Sequence, residues 1–342
     1  MNRIVRARLA RAMVTSAMLG TLLIGGSATS VAGSTCLATG ALDRDGTPLT
    51  ARLVNPSGTV GATIDATGCD VGVYFDRGSG RVDGAEIFGA RYFGVLVDGD
   101  VNAVSVDVSD SSVHDIGEVP LTSGRHGEGV AYRSFNGGSA SGTVSGNRVW
   151  AFQEAGLNVT GPGSTVVLTA NRVIGPGPES VIEENGIQVI FGAHGTARAN
   201  VISDLSFSGV GQAPSAGILV VGGPLYGKPY TVGAALVDNV ITGSDTGIVV
   251  FEAEVNGRPS PLPTSTLIQG NVISNDALNN VSGSGQKGYQ AGILDHANGD
   301  RIIGNRISGN GYDKAFCGGA ATCTPIDVKH SIDPIVSGNV PG

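Results

Sequence analysis

Aromatic residues are scarce: one Trp, seven Tyr and nine Phe in 342 positions. That supply is thin for a long ring-lined binding track. Positive charge is also short, with 21 Lys and Arg against 29 Asp and Glu. Nucleic acid is thereby disfavoured, because phosphates demand a basic footprint. Long helical patterns are few. Beyond residue 32 no apolar run is long enough to cross about 30 Å of hydrocarbon, so stable membrane insertion is not expected.

The first 32 residues read as a signal peptide. Arg3, Arg6, Arg8 and Arg11 precede an apolar run through Ala17–Ile24, and Ser30-Val31-Ala32 offers small residues for cleavage. The expected localisation is therefore secreted, extracellular. Without these four arginines, 17 basic residues face 29 acidic ones, a net of −12. Cysteine is limited to Cys36, Cys69, Cys317 and Cys323, two near each end of the exported part. An oxidising compartment permits disulfides, and the placement suggests Cys36–Cys69 and Cys317–Cys323. Cys-x5-Cys alone is poor zinc spacing.

What is plentiful is glycine, 55 residues, and it is not spaced every third position as collagen requires. Two phrases recur instead. One is GVLV at 94, GVAY at 129, GLNV at 156, GIQV at 186, GILV at 217, GIVV at 247 and GILD at 292. The other is NRVW at 147, NRVI at 171, NVIS at 200, NVIT at 239, NVIS at 271, NRIS at 305 and NVPG at 339. Repeats near 30 residues indicate a stack of structural units rather than a single globular core. In GIQV, Ile187 and Val189 point inward and Gln188 outward. Asparagine suits a corner in a left-handed backbone conformation, and stacked asparagines can bond one another. The glycines suit a strained or close backbone approach.

These alternating G-I-x-V and G-N-x-I phrases resemble the right-handed parallel β-helix repeat of the pectate lyase-like superfamily. Pectate lyases, polygalacturonases and alginate epimerases share it. The resemblance covers roughly residues 60–340. It implies an all-β solenoid of roughly nine to ten coils, with an N-terminal cap and long loops on one side. The expected division is 1–32 signal peptide, 33–68 cap and 69–342 β-helix. The resemblance also implies a carbohydrate ligand, a polysaccharide or oligosaccharide, but carries over no catalytic residue; the Asn-Thr-Asp motif of polygalacturonases is absent.

Four insertions stand out, at 113–128, 222–233, 252–266 and 275–290. The register supplies candidate acids: Glu154, Glu184 and Asp245 stand two residues before the recurring glycine, with Ser215 between the last two. Adjacent coils lie about 5 Å apart. Glu154 and Glu184 could therefore face each other like a retaining glycosidase pair, and Glu184 and Asp245 like an inverting one. Solvated turn-edge acids, or acids holding calcium, are the alternatives. Candidate substrate contacts are Arg125, His126, Glu128 and Arg133, with Gln188, Lys287 and His296. Asp295 occupies a position filled by Val in most other coils; it marks either a site or the point where the strand leaves register. A lyase or epimerase would use Lys287, Arg258 or Arg133 beside calcium. The leading expectation is a monomeric carbohydrate-active enzyme using a carboxylate pair and no required cofactor. A non-catalytic glycan-binding scaffold is the main rival.

Overall fold

The computed structural model describes residues 35–209, 214–281 and 288–341. The expected signal peptide and Lys287 lie outside them. Three long sheets run side by side. Sheet 1 opens with a hairpin, Leu37–Leu42 against Pro48–Val54. It continues through Val71–Phe75, Phe93–Asp98, Glu128–Arg133, Ala155–Thr160, Asn185–Ile190, Ala216–Gly222, Thr246–Glu252 and Gly288–His296 to Ala321–Asp327. Sheet 2 runs from Thr59–Val60 to Ile335–Ser337, and sheet 3 from Thr63–Asp65 to Val340–Pro341, with ten strands each. From Pro48 on, the chain visits the three sheets in turn, and each strand pairs in parallel with its equivalents one coil away. The molecule is a parallel β-helix, with the right-handed sense that crossovers between parallel strands take. The first circuit begins at Pro48, within the stretch expected as a cap.

Register places like residues over like. Val73, Val95, Val130, Leu157, Ile187, Ile218, Ile248 and Ile293 form one inward row, each at most 1% exposed. Each such side chain contributes about 1.5–3 kcal/mol by leaving water. No coil is stable alone, so the row makes neighbouring coils interdependent. Asp295 stays in register opposite Val250 and is 1% exposed. The strand does not leave the ladder there, so an acid sits in an otherwise apolar row.

The asparagines form an unbroken ladder. The side-chain amides of Asn147, Asn171, Asn200, Asn239, Asn271 and Asn305 each donate to the next asparagine's Oδ1, ending on Asn339, at 2.9–3.0 Å. The left-handed residue is not the asparagine but its predecessor, as at Ala170, Ala199 and Asp238. Turning the corner one residue earlier aims the asparagine side chain along the axis, where its amide meets the next. The recurring glycines answer to close approach. A Cβ on Gly247 would lie 2.3 Å from Ile273 Cγ2 and 2.5 Å from the Gly292 carbonyl.

The four insertions all border the outer face of sheet 1. Those at 113–128 and, in its described part, 275–281 follow sheet 3, and those at 222–233 and 252–266 follow sheet 1 itself, so they stand on opposite margins. Both expected disulfides, Cys36–Cys69 and Cys317–Cys323, are present. No helix among the described residues is long and apolar enough to cross a membrane.

Candidate active site

The outward positions of sheet 1 form a second row: Tyr74, Leu96, Ala131, Asn158, Gln188, Leu219, Val249 and Leu294. Within this row between Leu96 and Leu294, only Asn158 and Gln188 are polar, on neighbouring coils. They form part of the floor of a cleft of about 950 Å³. Its lining includes Asp98, Arg125, His126, Glu128, Arg133 and Glu154, with rings from Tyr74, Phe93, Phe135, Phe191 and Tyr226.

Two carboxyls meet on adjacent coils here. Glu128 stands opposite Ala155 in the ladder, and Glu154 immediately precedes Ala155. Each acid is held by an amide from the next coil. Asn158 Nδ2 donates to Glu128 Oε2 at 2.9 Å, and Gln188 Nε2 to Glu154 Oε1 at 3.4 Å. Their other surroundings differ. Glu154 Oε2 also accepts from Arg125 Nη1 at 3.3 Å, while Arg125 Nη2 reaches Glu183 at 2.5 Å. Glu128 has no such cation in contact. Glu128 keeps part of its surface open to the cleft, but the protein packed around it pushes its carboxyl up to about 7; the Asn158 hydrogen bond opposes this, the Glu154 charge adds to it, and the more distant Arg44 and Arg133 charges oppose it. Burial raises Glu154 as well, but Arg125 opposes that rise. Glu128 is thus suited to exchange a proton near neutral pH, and Arg125 is the contact that favours the charged form of Glu154 against its burial.

Arg133 extends along the same strand and is tied to Asp98 at 2.7 Å; Asp98 also accepts from the Tyr74 hydroxyl at 3.2 Å. His126 pairs with Glu118 at 3.2 Å and packs 4.1 Å from the Tyr92 ring. It belongs to the cleft margin, on a loop braced by Thr122.

Glu184 and Asp245 do not line the cleft. Glu184 is 1% exposed, and burial with nearby acids raises its carboxyl to about 9. Asp245 is wholly buried and accepts from Ser206 Oγ, Phe207 N and Ser215 N at 2.8, 2.7 and 3.2 Å. That anchors a loop, and the facing pairs expected for Glu184 are not formed in the cleft. The position two before the glycine lies in the corner between sheets 3 and 1, so an acid there is readily enclosed. Glu154 differs in being met by Arg125.

His296 lies farther along sheet 1, stacked 4.5 Å from Phe251, with Nε2 donating to the Gly257 carbonyl at 2.9 Å. It does not line the cleft. Trp150 packs on sheet 3 against His114 at 4.3 Å, under Arg148. Among the described residues no group of three or more His, Cys, Asp or Glu side chains is placed to hold a metal ion. Asp98 and Asn158 were not singled out from the sequence. The signal for Asn158 was present: GLNV and GIQV are the two phrases with a polar residue at the outward third position.

No family model and no curated protein matches the chain. Among solved structures it is similar to XylC in complex with xylose, at TM-score 0.45 and 12% identity over 71% of this chain and 37% of that one. It is similar to the Dettilon tailspike protein at TM-score 0.44 and 15% identity, over 83% and 53%. A third is the DFA-IIIase of Arthrobacter chlorophenolicus A6 in complex with GF2, at TM-score 0.41 and 14% identity, over 86% and 66%. The chain spans less than two thirds of each of these proteins. Likeness at this level carries no weight for the chemistry of the cleft.

Proposed function

We propose that the protein is an exported glycoside hydrolase that binds a weakly charged oligosaccharide or polysaccharide in this cleft. Glu128 is the general acid and Glu154 the nucleophile. The observation supporting this reading is the pairing of two unlike carboxyls on adjacent coils of one cleft, one without a cation in contact and one facing Arg125. Glycosidic cleavage needs that asymmetry: a proton for the leaving oxygen and an anion for the anomeric carbon.

In the proposed reaction Glu128 gives its proton to the glycosidic oxygen as the bond to the anomeric carbon breaks. Glu154 forms the new bond to that carbon. Water, losing its proton to Glu128, then releases the sugar and restores both carboxyls. Adjacent-coil spacing of about 4.8 Å approaches the 5–5.5 Å separation of retaining pairs. One chain supplies both acids, and the step calls for no cofactor. Sugar hydroxyls would find partners in Asn158, Gln188, Asp98 and Arg133, and rings in Tyr226 and Phe135. Two disulfides and the basic-then-apolar leader support export.

The test is a polysaccharide panel read separately for new reducing ends and for unsaturated products, with wild type, Glu128→Gln and Glu154→Gln. Saturated products from wild type, lost about 10²–10⁴-fold in Glu128→Gln, are expected. Unsaturated products would instead indicate elimination, and equal activity in all three proteins would remove the carboxylate pair.

A further inference from the structure

We infer that the cleft is closed at its N-terminal end, so that the enzyme takes free chain ends and releases one or two sugar units at a time. This rests on the hydrolytic reading above and adds its mode of attack. Three observations carry it. The first is an apolar cover on the N-terminal part of the outward row. Tyr74, Leu96 and Ala131 are 2%, 0% and 1% exposed, and it is this cover, not exposure alone, that sets them apart from Asn158 and Gln188 at 5% and 3% on the cleft floor. These residues join Leu49, Val71, Tyr92 and Phe93 in an apolar cluster outside the main core, with Ala41 of the hairpin packed on it.

The second is the hairpin's position. Leu37–Leu42 is the edge strand of sheet 1 and the sheet's only antiparallel member among the described residues. Yet Thr39, Gly40, Ala41, Leu42, Asp43 and Arg44 share the cleft lining with Glu128 and Glu154, which lie three and four coils from Pro48–Val54. Residues from the sheet edge reach these coils only if the hairpin folds over the outer face. The Cys36–Cys69 bridge fixes its base.

The third is a strut across the mouth. Arg44 Nη1 donates to the Arg125 carbonyl at 2.9 Å, joining the hairpin to the loop that follows sheet 3. Toward the C-terminal end the lining runs on to Leu219, Val221, Tyr226 and Lys228, with Leu219 partly exposed. A glycan lying along the axis therefore enters from that side and stops under the hairpin. Coils repeat at about 4.8 Å, close to the advance of one pyranose unit. Beyond Glu128 the sheet's part of the lining continues only through the coils of Asp98 and Tyr74, one and two coils away, so about one or two units fit beyond the acids.

The test is a time course on whichever panel glycan is cleaved, with products sized from the earliest points. Closure predicts mono- or disaccharide from the outset, with the remaining polymer barely shortened. Arg44→Ala, which removes the strut, is expected to raise the share of longer products severalfold. A ladder of intermediate lengths from wild type overturns closure and leaves hydrolysis standing, as does an unchanged product spectrum in Arg44→Ala. No product from any glycan overturns hydrolysis, and this inference with it.

Discussion

The side-chain amide of Asn158 donates to Glu128 Oε2 at 2.9 Å across one step of the coil. An amide N–H bonds the carboxylate better than the acid, so it holds down a carboxyl that burial drives up. It also keeps Oε2 as the acceptor, leaving Oε1 to carry the proton.

Removing that donor should release the restraint. In Asn158→Leu the Glu128 value should rise from about 7 by about one unit, the worth of one hydrogen bond to a charged group. The alkaline limb of the pH–rate profile should move up with it. Asn158→Gln, the residue found at the same outward position on the next coil, should restore much of the wild-type profile. An unmoved limb in Asn158→Leu would mean that the amide does not act on Glu128.

Arg125 acts on the other acid. Arg125→Met should raise the Glu154 carboxyl, shifting the acidic limb upward and lowering kcat while the fold persists. The guanidinium is 44% exposed, so solvent screening should hold the shift below about one unit. Higher salt should shrink the difference between variant and wild type.

Buried acids away from the cleft predict an unusual stability profile. Burial raises Glu184 to about 9, Glu252 to about 8 and Asp245 to about 7, and burial beside the Asp295 carboxyl raises Asp300 as well. Their folded-state values exceed the unfolded ones near 4, so the folded protein binds more protons across that interval. The stability this confers is complete below about pH 4 and is lost as pH rises toward 9. Urea midpoints should therefore fall from pH 5 to pH 9, and Glu252→Gln should flatten the decline. Rising midpoints over that range would contradict these assignments.

The asparagine ladder predicts position-dependent losses. Asn200 Oδ1 accepts both the backbone and side-chain N–H of Asn171, and its own amide reaches Asn239 and the Leu168 carbonyl. Asn200→Ala strands two buried donors and should cost about 3 kcal/mol or more in urea unfolding. Asn339, partly buried on the last coil, should cost about half that when truncated, because solvent can replace its partners.

Much of this fold is written in two short phrases. G-I-x-V encodes an inward pair and a glycine under a neighbouring carbonyl; N-x-I encodes the ladder. Both act between adjacent coils, so spacing alone reveals the stack. Backbone detail is less visible: Ala170 and Asp238 take the left-handed corner because the following asparagine must point along the axis. The site was half legible. Glu154, Glu128, Arg125 and Arg133 share the cleft, but Glu184 has the same phrase position as Glu154 and is sealed away. What separates them is Arg125, which sits 29 residues before Glu154 and reaches it only through a loop conformation. The hairpin roof is equally invisible, since nothing in Leu37–Leu42 specifies which face of the sheet it crosses.

The central claim is that Glu128 titrates near neutral pH on the coil next to Glu154, whose anion Arg125 favours, and carboxyl ¹³C NMR addresses the Glu128 value without any substrate. With glutamate labelled at Cδ, the signal lost in Glu128→Gln identifies the group. Titration of that signal near pH 7 is the predicted result. Titration near the ordinary glutamate value of about 4.3 would contradict the account, because an acid ionised at neutral pH has no proton to give.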